Sequence, residues 1–280
     1  MRIIYFSFLI LFSFLSACSP INKQNRIKKT FEAANQKLND AYYDDAIALY
    51  SKVLEMDHEI VDAHMNRGVA YYETGHYVLA LADYNEVHRV RPAFHEVLFN
   101  RAYTYLAMAR YETAMEDLNT LKKLYPDTSL VYNVEGYVYG QQENYQAAKK
   151  SFEAAIARDA KHFDSWTNLG VMNYHLKKYE EAEAAFGQAL ELRGNAPEVL
   201  NPLSLVYLAQ QRLQKADSTI DVAIGLVADQ AYFLNNKGLI QIHLENYDLA
   251  DSLIRRSLQL DADNPSAQEN MELLMSKRTG

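Results

Sequence analysis

Few side chains in this sequence are placed to do chemistry, and the first is a lone cysteine, Cys18, in the stretch "FLSACSP". A thiol can be oxidised, ligate a metal or be acylated. With one cysteine in 280 residues there is no partner for an intrachain disulfide, and a metal site needs further ligands. The stretch "HEVLF" from His95 opens as a zinc-protease helix does, but Phe99 stands where the second histidine is required. "DADNPSAQENME" from Asp261 puts acidic residues at three calcium-loop positions, the last being Glu272. There, however, Pro265 takes a ligand position and Ser266 replaces the turn glycine. His64, His88 and His95 lie in neighbouring segments and either converge or face solvent separately. The chain has no G-x-S-x-G, no phosphate-binding glycine loop and no cysteine pair. These residues predict no catalytic centre, no metal site and no cofactor.

What surrounds Cys18 bears on which of these chemistries applies. Met1 and Arg2 precede the apolar run "IIYFSFLILFSFL", which ends at Leu15. A positive start, a short apolar core and small residues at the exit are the layout of a secretory signal peptide. The run is shorter than the roughly 20 apolar residues a spanning helix needs. Leu15-Ser16-Ala17-Cys18 resembles the lipobox of bacterial lipoproteins, in which cleavage exposes the cysteine and its thiol is acylated. The resemblance implies a signal peptide at 1–17 and an acylated N-terminus with a linker at 18–26. The alternative is an ordinary signal peptide that leaves Cys18 as a free thiol. Ser19 follows the cysteine in place of the aspartate that marks inner-membrane retention in that family, which implies the outer membrane, facing the periplasm. Lys23, Arg26, Lys28 and Lys29 either lie against anionic head groups or keep a linker solvated. The remainder is acidic, with 36 Asp and Glu against 28 Lys and Arg in the whole chain. Nucleic acid rewards dense basic surfaces, so no nucleic-acid partner is expected.

Further along, the dominant feature is a ruler of 34 residues. Alanine recurs without insertion at Ala46, Ala80, Ala114, Ala148, Ala182, Ala216 and Ala250. Three residues before each stands a tyrosine, except at Leu213, and four residues after each stands a bulky apolar side chain, as in Tyr84, Phe152 and Phe186. Such a register resembles the tetratricopeptide repeat, W-x2-L-G-x2-Y, then A-x3-F, then P. The best match runs through Trp166, Leu169, Gly170, Ala182, Phe186 and Ala189; Gly68, Tyr71, Ala80, Tyr84 and Pro92 carry another. The resemblance implies an all-α fold, an α-solenoid of seven helix-turn-helix repeats at 27–60, 61–94, 95–128, 129–162, 163–196, 197–230 and 231–264. A capping helix and tail follow at 265–280.

The physics of the register agrees. Repeat positions 4, 7, 8 and 11 form one apolar stripe and positions 20, 24 and 27 another. Position 8 is small throughout and position 20 is alanine, so the two helices of a hairpin should cross closely through these small residues. Aromatics at positions 11, 17 and 24 should fill the space between successive hairpins, which accounts for most of the 21 tyrosines. Pro202 falls inside the first helix of the sixth repeat. It predicts either a shortened or kinked helix, or one that starts late, capped by Asn201 with the proline in its first turn.

In the tetratricopeptide family, the face of the first helices lines a concave groove where partner peptides bind. Here position 6 of that face carries Asn66, Asn100, Asn168 and Asn236. Amides both donate and accept, which suits an extended peptide backbone, although asparagine is also simply common at this position. Met65, Val69, Phe99, Tyr103, Leu106 and Tyr137 make the same face apolar in repeats two to four, through packing between repeats or as a groove for an apolar segment. The expected function is a membrane-anchored adaptor that binds proteins or peptides of the cell envelope, held through acylated Cys18. A carrier or sensor holding a lipid or glycan in the groove is the alternative, and self-association through the terminal repeats is a further possibility.

Overall fold

The computed structural model describes residues 20–279. Cys18 and the leader before it lie outside the described residues. Among the described residues there are fifteen α-helices and no strand. They fall into two compact units that meet in sequence at Pro126 and Asp127.

The first unit holds three hairpins: α1 (Pro20–Asn39) with α2 (Tyr43–Met56), α3 (Val61–Glu73) with α4 (Tyr77–Val90), and α5 (Glu96–Ala107) with α6 (Tyr111–Leu124). The second holds four: α7 (Ser129–Gln141) with α8 (Tyr145–Arg158), α9 (Phe163–His175) with α10 (Tyr179–Arg193), α11 (Pro197–Ala209) with α12 (Leu213–Leu226), and α13 (Ala231–His243) with α14 (Tyr247–Leu260). α15 (Pro265–Thr279) closes it. Within each unit, each second helix packs on its own first helix and on the next, and successive first helices touch. This is the stacking expected of a solenoid, in which no hairpin buries both faces alone.

The register explains how each hairpin closes. The alanines at position 20 are fully buried in all seven repeats. Position 8, however, faces position 24 of its own hairpin. A Cβ added at Gly68, Gly136, Gly170 or Gly238 would fall 2.6 Å from the side chain of Tyr84, Phe152, Phe186 or Ile254, respectively. The bulky group at position 24 therefore lies beneath the glycine inside the hairpin. It also reaches outward, since Phe186 shares a core with Val199 and Leu203 of the next hairpin. The position-24 side chains thus fill the inside of their own hairpin as well as the space between hairpins.

The turns repeat as strictly as the helices. Position 15 has positive φ in every repeat, at Ala41, Gly75, Ala109, Glu143, Lys177, Gln211 and Glu245, between 54° and 76°. The N–H of the following residue bonds back to the carbonyl five residues earlier, as in His76 to Tyr71 (2.8 Å) and Lys178 to Asn173 (2.8 Å). This is a Schellman end, and it leads directly into the second helix.

Two local expectations change. α11 is neither short nor late: it runs from Pro197 to Ala209, the same thirteen residues as α9 and α13, with Pro202 inside it. Ala196 occupies the N-cap, and the Asn201 amide is engaged elsewhere, accepting from Asn236 Nδ2 at 2.8 Å. Val199, Leu200, Leu203, Val206 and Tyr207 bury this helix, and tertiary packing holds it helical against the local penalty. α1 begins at Pro20, so residues 20–26, read as linker, are helical.

Candidate functional site

The asparagines of position 6 have specific partners. Asn66 Nδ2 donates to Asn35 Oδ1 at 3.1 Å, and Asn236 Nδ2 to Asn201 Oδ1 at 2.8 Å. Asn270, one step further along the ruler, donates to Asn235 Oδ1 at 2.9 Å. Asn100 Nδ2 lies 3.8 Å from the Met65 sulfur. These amides staple one first helix to the one before it. Asn168 differs: its Nδ2 is buried and has no acceptor.

Two cavities open on the first-helix face, one in each unit. In the first, Val69, Tyr72 and Glu73 of α3, Tyr84 of α4, and Asn100 and Tyr103 of α5 surround about 140 Å³. In the second, about 350 Å³ lies between α7 and α9, lined by Tyr137, Gly140, Gln141, Phe152, Asn168, Val171, Met172 and His175, with Tyr145 at its edge. The structure thus gathers Val69, Asn100 and Tyr103 in one place, and Tyr137 with Asn168 in another. Met65, Phe99 and Leu106 are half-buried on α3 and α5 and line neither cavity.

The larger cavity owes its size to Gly140. Position 12 is otherwise bulky, with Leu38, Tyr72, Leu106, Tyr174, Leu208 and Ile242. A Cβ at Gly140 would meet only Met172, at 3.7 Å. Around the opening, Tyr137 is 40% exposed and stands edge-on to Phe152, while Tyr145 and His175 stack in parallel at 4.5 Å. A hydrogen-bond donor without an acceptor, an exposed ring and a stacked pair beside a gap can hold a peptide carbonyl and an apolar side chain together. Gly140, Tyr145 and His175 were not singled out from the sequence; the break in position 12 was the signal that marks them.

The ionisable clusters serve the hairpins. Asp83, only 3% exposed, receives Arg67 in a two-point bond at 2.8 Å and lies 2.7 Å from His64 Nδ1. That hydrogen bond raises the His64 pKa above its ordinary value. Arg101 grips Asp117 in the same way one repeat later, but burial outweighs the guanidinium and raises the Asp117 pKa. The three histidines do not form a common site: His88 and His95 each bury an unpartnered Nδ1, and His95 lies edge-on to Tyr125. Among the described residues there is no cluster of His, Cys, Asp and Glu able to hold a metal, and no helix long and apolar enough to cross a membrane.

The fold recurs in solved structures. A tetratricopeptide repeat protein from Parabacteroides merdae is 16% identical with a TM-score of 0.72, over 90% of this chain and 99% of that one. A chain of the APC/C hetero-tetramer Cut9–Hcn1 is 16% identical with a TM-score of 0.70, over 93% of this chain and 58% of that one. PilW, a type IV pilus biogenesis factor, is 18% identical with a TM-score of 0.67, over 76% of this chain and 98% of that one. A search of curated proteins finds no match. Models described as tetratricopeptide repeat match residues 133–198, 96–128 and 231–264, and one described as TPR repeat matches 42–75. With the 34-residue register, the paired helices and these matches in agreement, the chain belongs to the tetratricopeptide repeat family.

Proposed function

We propose that this protein is a lipid-anchored scaffold of the bacterial cell envelope that receives a protein segment in the α7–α9 cavity. The observation that carries the binding site is Asn168: its Nδ2 lacks an acceptor, whereas the equivalent amides of Asn66 and Asn236 are satisfied by their neighbours. A backbone carbonyl of an extended partner supplies that acceptor, and Tyr137 and the Tyr145–His175 stack receive the side chains beside it. The anchor rests on Cys18 at the end of the leader. Acylation there, with Ser19 following, places the protein at the outer membrane facing the periplasm. The family's use as a protein-binding scaffold supports an adaptor, and PilW's description as a pilus biogenesis factor is in keeping with an assembly role.

The test is photo-crosslinking in living cells, with a reactive residue in place of Tyr137 and a control in place of exposed Glu116 on α6. A discrete protein adduct is expected from Tyr137 alone. No protein adduct at Tyr137, with a small molecule recovered on the purified chain, would replace the adaptor with a carrier of lipid or glycan.

A further inference from the structure

A second groove lies on the other side of the same hairpin, between α8 and α10, which both pack on α9. It encloses about 570 Å³. Its floor is Trp166, Leu169 and Asn173 of α9, and its rim carries Glu153, Glu181 and Glu191 with Lys149. The space follows from two substitutions within the register. Position 11 is tyrosine at Tyr71, Tyr105, Tyr139 and Tyr207, but here it is Asn173. On α10, a Cβ at Gly187 would meet nothing within 4 Å.

Asn173 is 2% exposed, and its Oδ1 has no donor. The comparison with Gln241, the other buried amide at position 11, isolates what is missing. Gln241 Nε2 donates to Asp217 at 2.5 Å and its Oε1 accepts from Asn246 at 2.8 Å. A buried polar group in a native fold normally has such a partner. The rim is acidic in balance, although two of its carboxylates already have a lysine nearby. Lys149 lies 3.6 Å from Glu153, Lys178 sits 3.9 Å from Glu181, and Glu191 accepts an amide N–H from Gln188. Three carboxylates against two lysines thus leave an excess of one negative charge around a floor of Trp166, Leu169 and the Asn173 amide.

We propose that this groove binds an arginine side chain of a partner polypeptide. The guanidinium takes the rim carboxylates as counter-charges and the Trp166 indole as a flat face to stack on, and offers N–H donors to the Asn173 amide. It is a site distinct from the α7–α9 cavity and does not depend on that reading.

Trp166 is the only tryptophan in the chain, so its emission reports on the groove directly. The purified chain is titrated with acetyl-Ala-Arg-Ala-amide and, separately, acetyl-Ala-Glu-Ala-amide, with calorimetry alongside. The arginine peptide should saturate with a dissociation constant on the order of 1 mM or tighter, as expected for one anchored side chain, and the glutamate peptide should give no response. Glu181→Gln with Glu191→Gln should weaken binding by about tenfold or more. Asn173→Tyr, which restores the ring of the other repeats, should abolish binding while helical content and melting temperature are retained. Gly225→Ala, on α12, should leave it unchanged. A response absent by both fluorescence and calorimetry, equal for the two peptides, or undiminished in Asn173→Tyr, would overturn the assignment.

Discussion

Gly170 is held to glycine by a neighbour. Its α-carbon stands over the Phe186 ring with no room for a methyl group, since any Cβ would lie 2.6 Å from ring carbons. Gly170→Ala is expected to force that ring out of place and cost about 1–3 kcal/mol in urea unfolding. Gly225→Ala gives the opposite sign, because nothing lies within 4 Å of its Cβ, so the methyl adds helix propensity worth up to about 1 kcal/mol. Gly140 differs again, because its Cβ would make ordinary contact with Met172. Gly140→Leu should therefore fold well and fill the α7–α9 cavity. Loss of the Tyr137 crosslink in a stable Gly140→Leu protein would tie binding to that gap; an undiminished adduct would separate the two.

At the scale of helices and turns, the His64–Asp83–Arg67 cluster couples α3 to α4. The hydrogen bond to Asp83 raises the folded-state pKa of His64 above the ordinary 6.5. The stabilisation is therefore complete below about pH 6.5 and is lost as pH rises through the raised folded value. Resistance of the wild-type chain to unfolding should weaken as pH rises over that window, and His64→Gln should flatten the dependence; an identical profile in the variant would remove His64 as its source. Legibility from sequence divides along similar lines. Helix pairing was readable because Ala46 through Ala250 and their tyrosine partners hold one period. The left-handed turn residue was not, because only Gly75 among the seven advertises it; Ala109, Glu143 and Lys177 adopt it under the constraint of the helices on either side. The length and start of α11 were misjudged from Pro202 for the same reason, since burial of α11 on both sides overrode a local rule. The asparagine array was visible by spacing. The acceptors Asn35 and Asn201, however, sit at positions 9 and 5 of the preceding repeat, an offset that the periodicity of one helix does not contain.

For the whole molecule, the proposed anchor raises the question of what would hold an acidic body of net charge −8 to a membrane. α1 starts at Pro20, two residues after Cys18 in sequence, and carries Lys23, Arg26, Lys28 and Lys29 exposed to solvent. One of the four is already shared within the helix, Lys28 lying 3.9 Å from Glu32. Basic residues at an anionic surface contribute about 1 kcal/mol each, so four supply about 4 kcal/mol at most, against an overall charge of the wrong sign. Acyl chains contribute about 0.8 kcal/mol per buried methylene, and two chains suffice for lasting attachment. The lipid must therefore dominate if Cys18 is modified as proposed. Cys18→Ser should move the protein from the membrane pellet to the soluble fraction. Replacing the four basic residues by glutamine should leave it in the pellet, even at high salt, because screening acts on the charges and not on the chains. A Cys18→Ser protein that still sediments with membranes, and is released by salt, would reverse the order of the two contributions and make α1 the anchor.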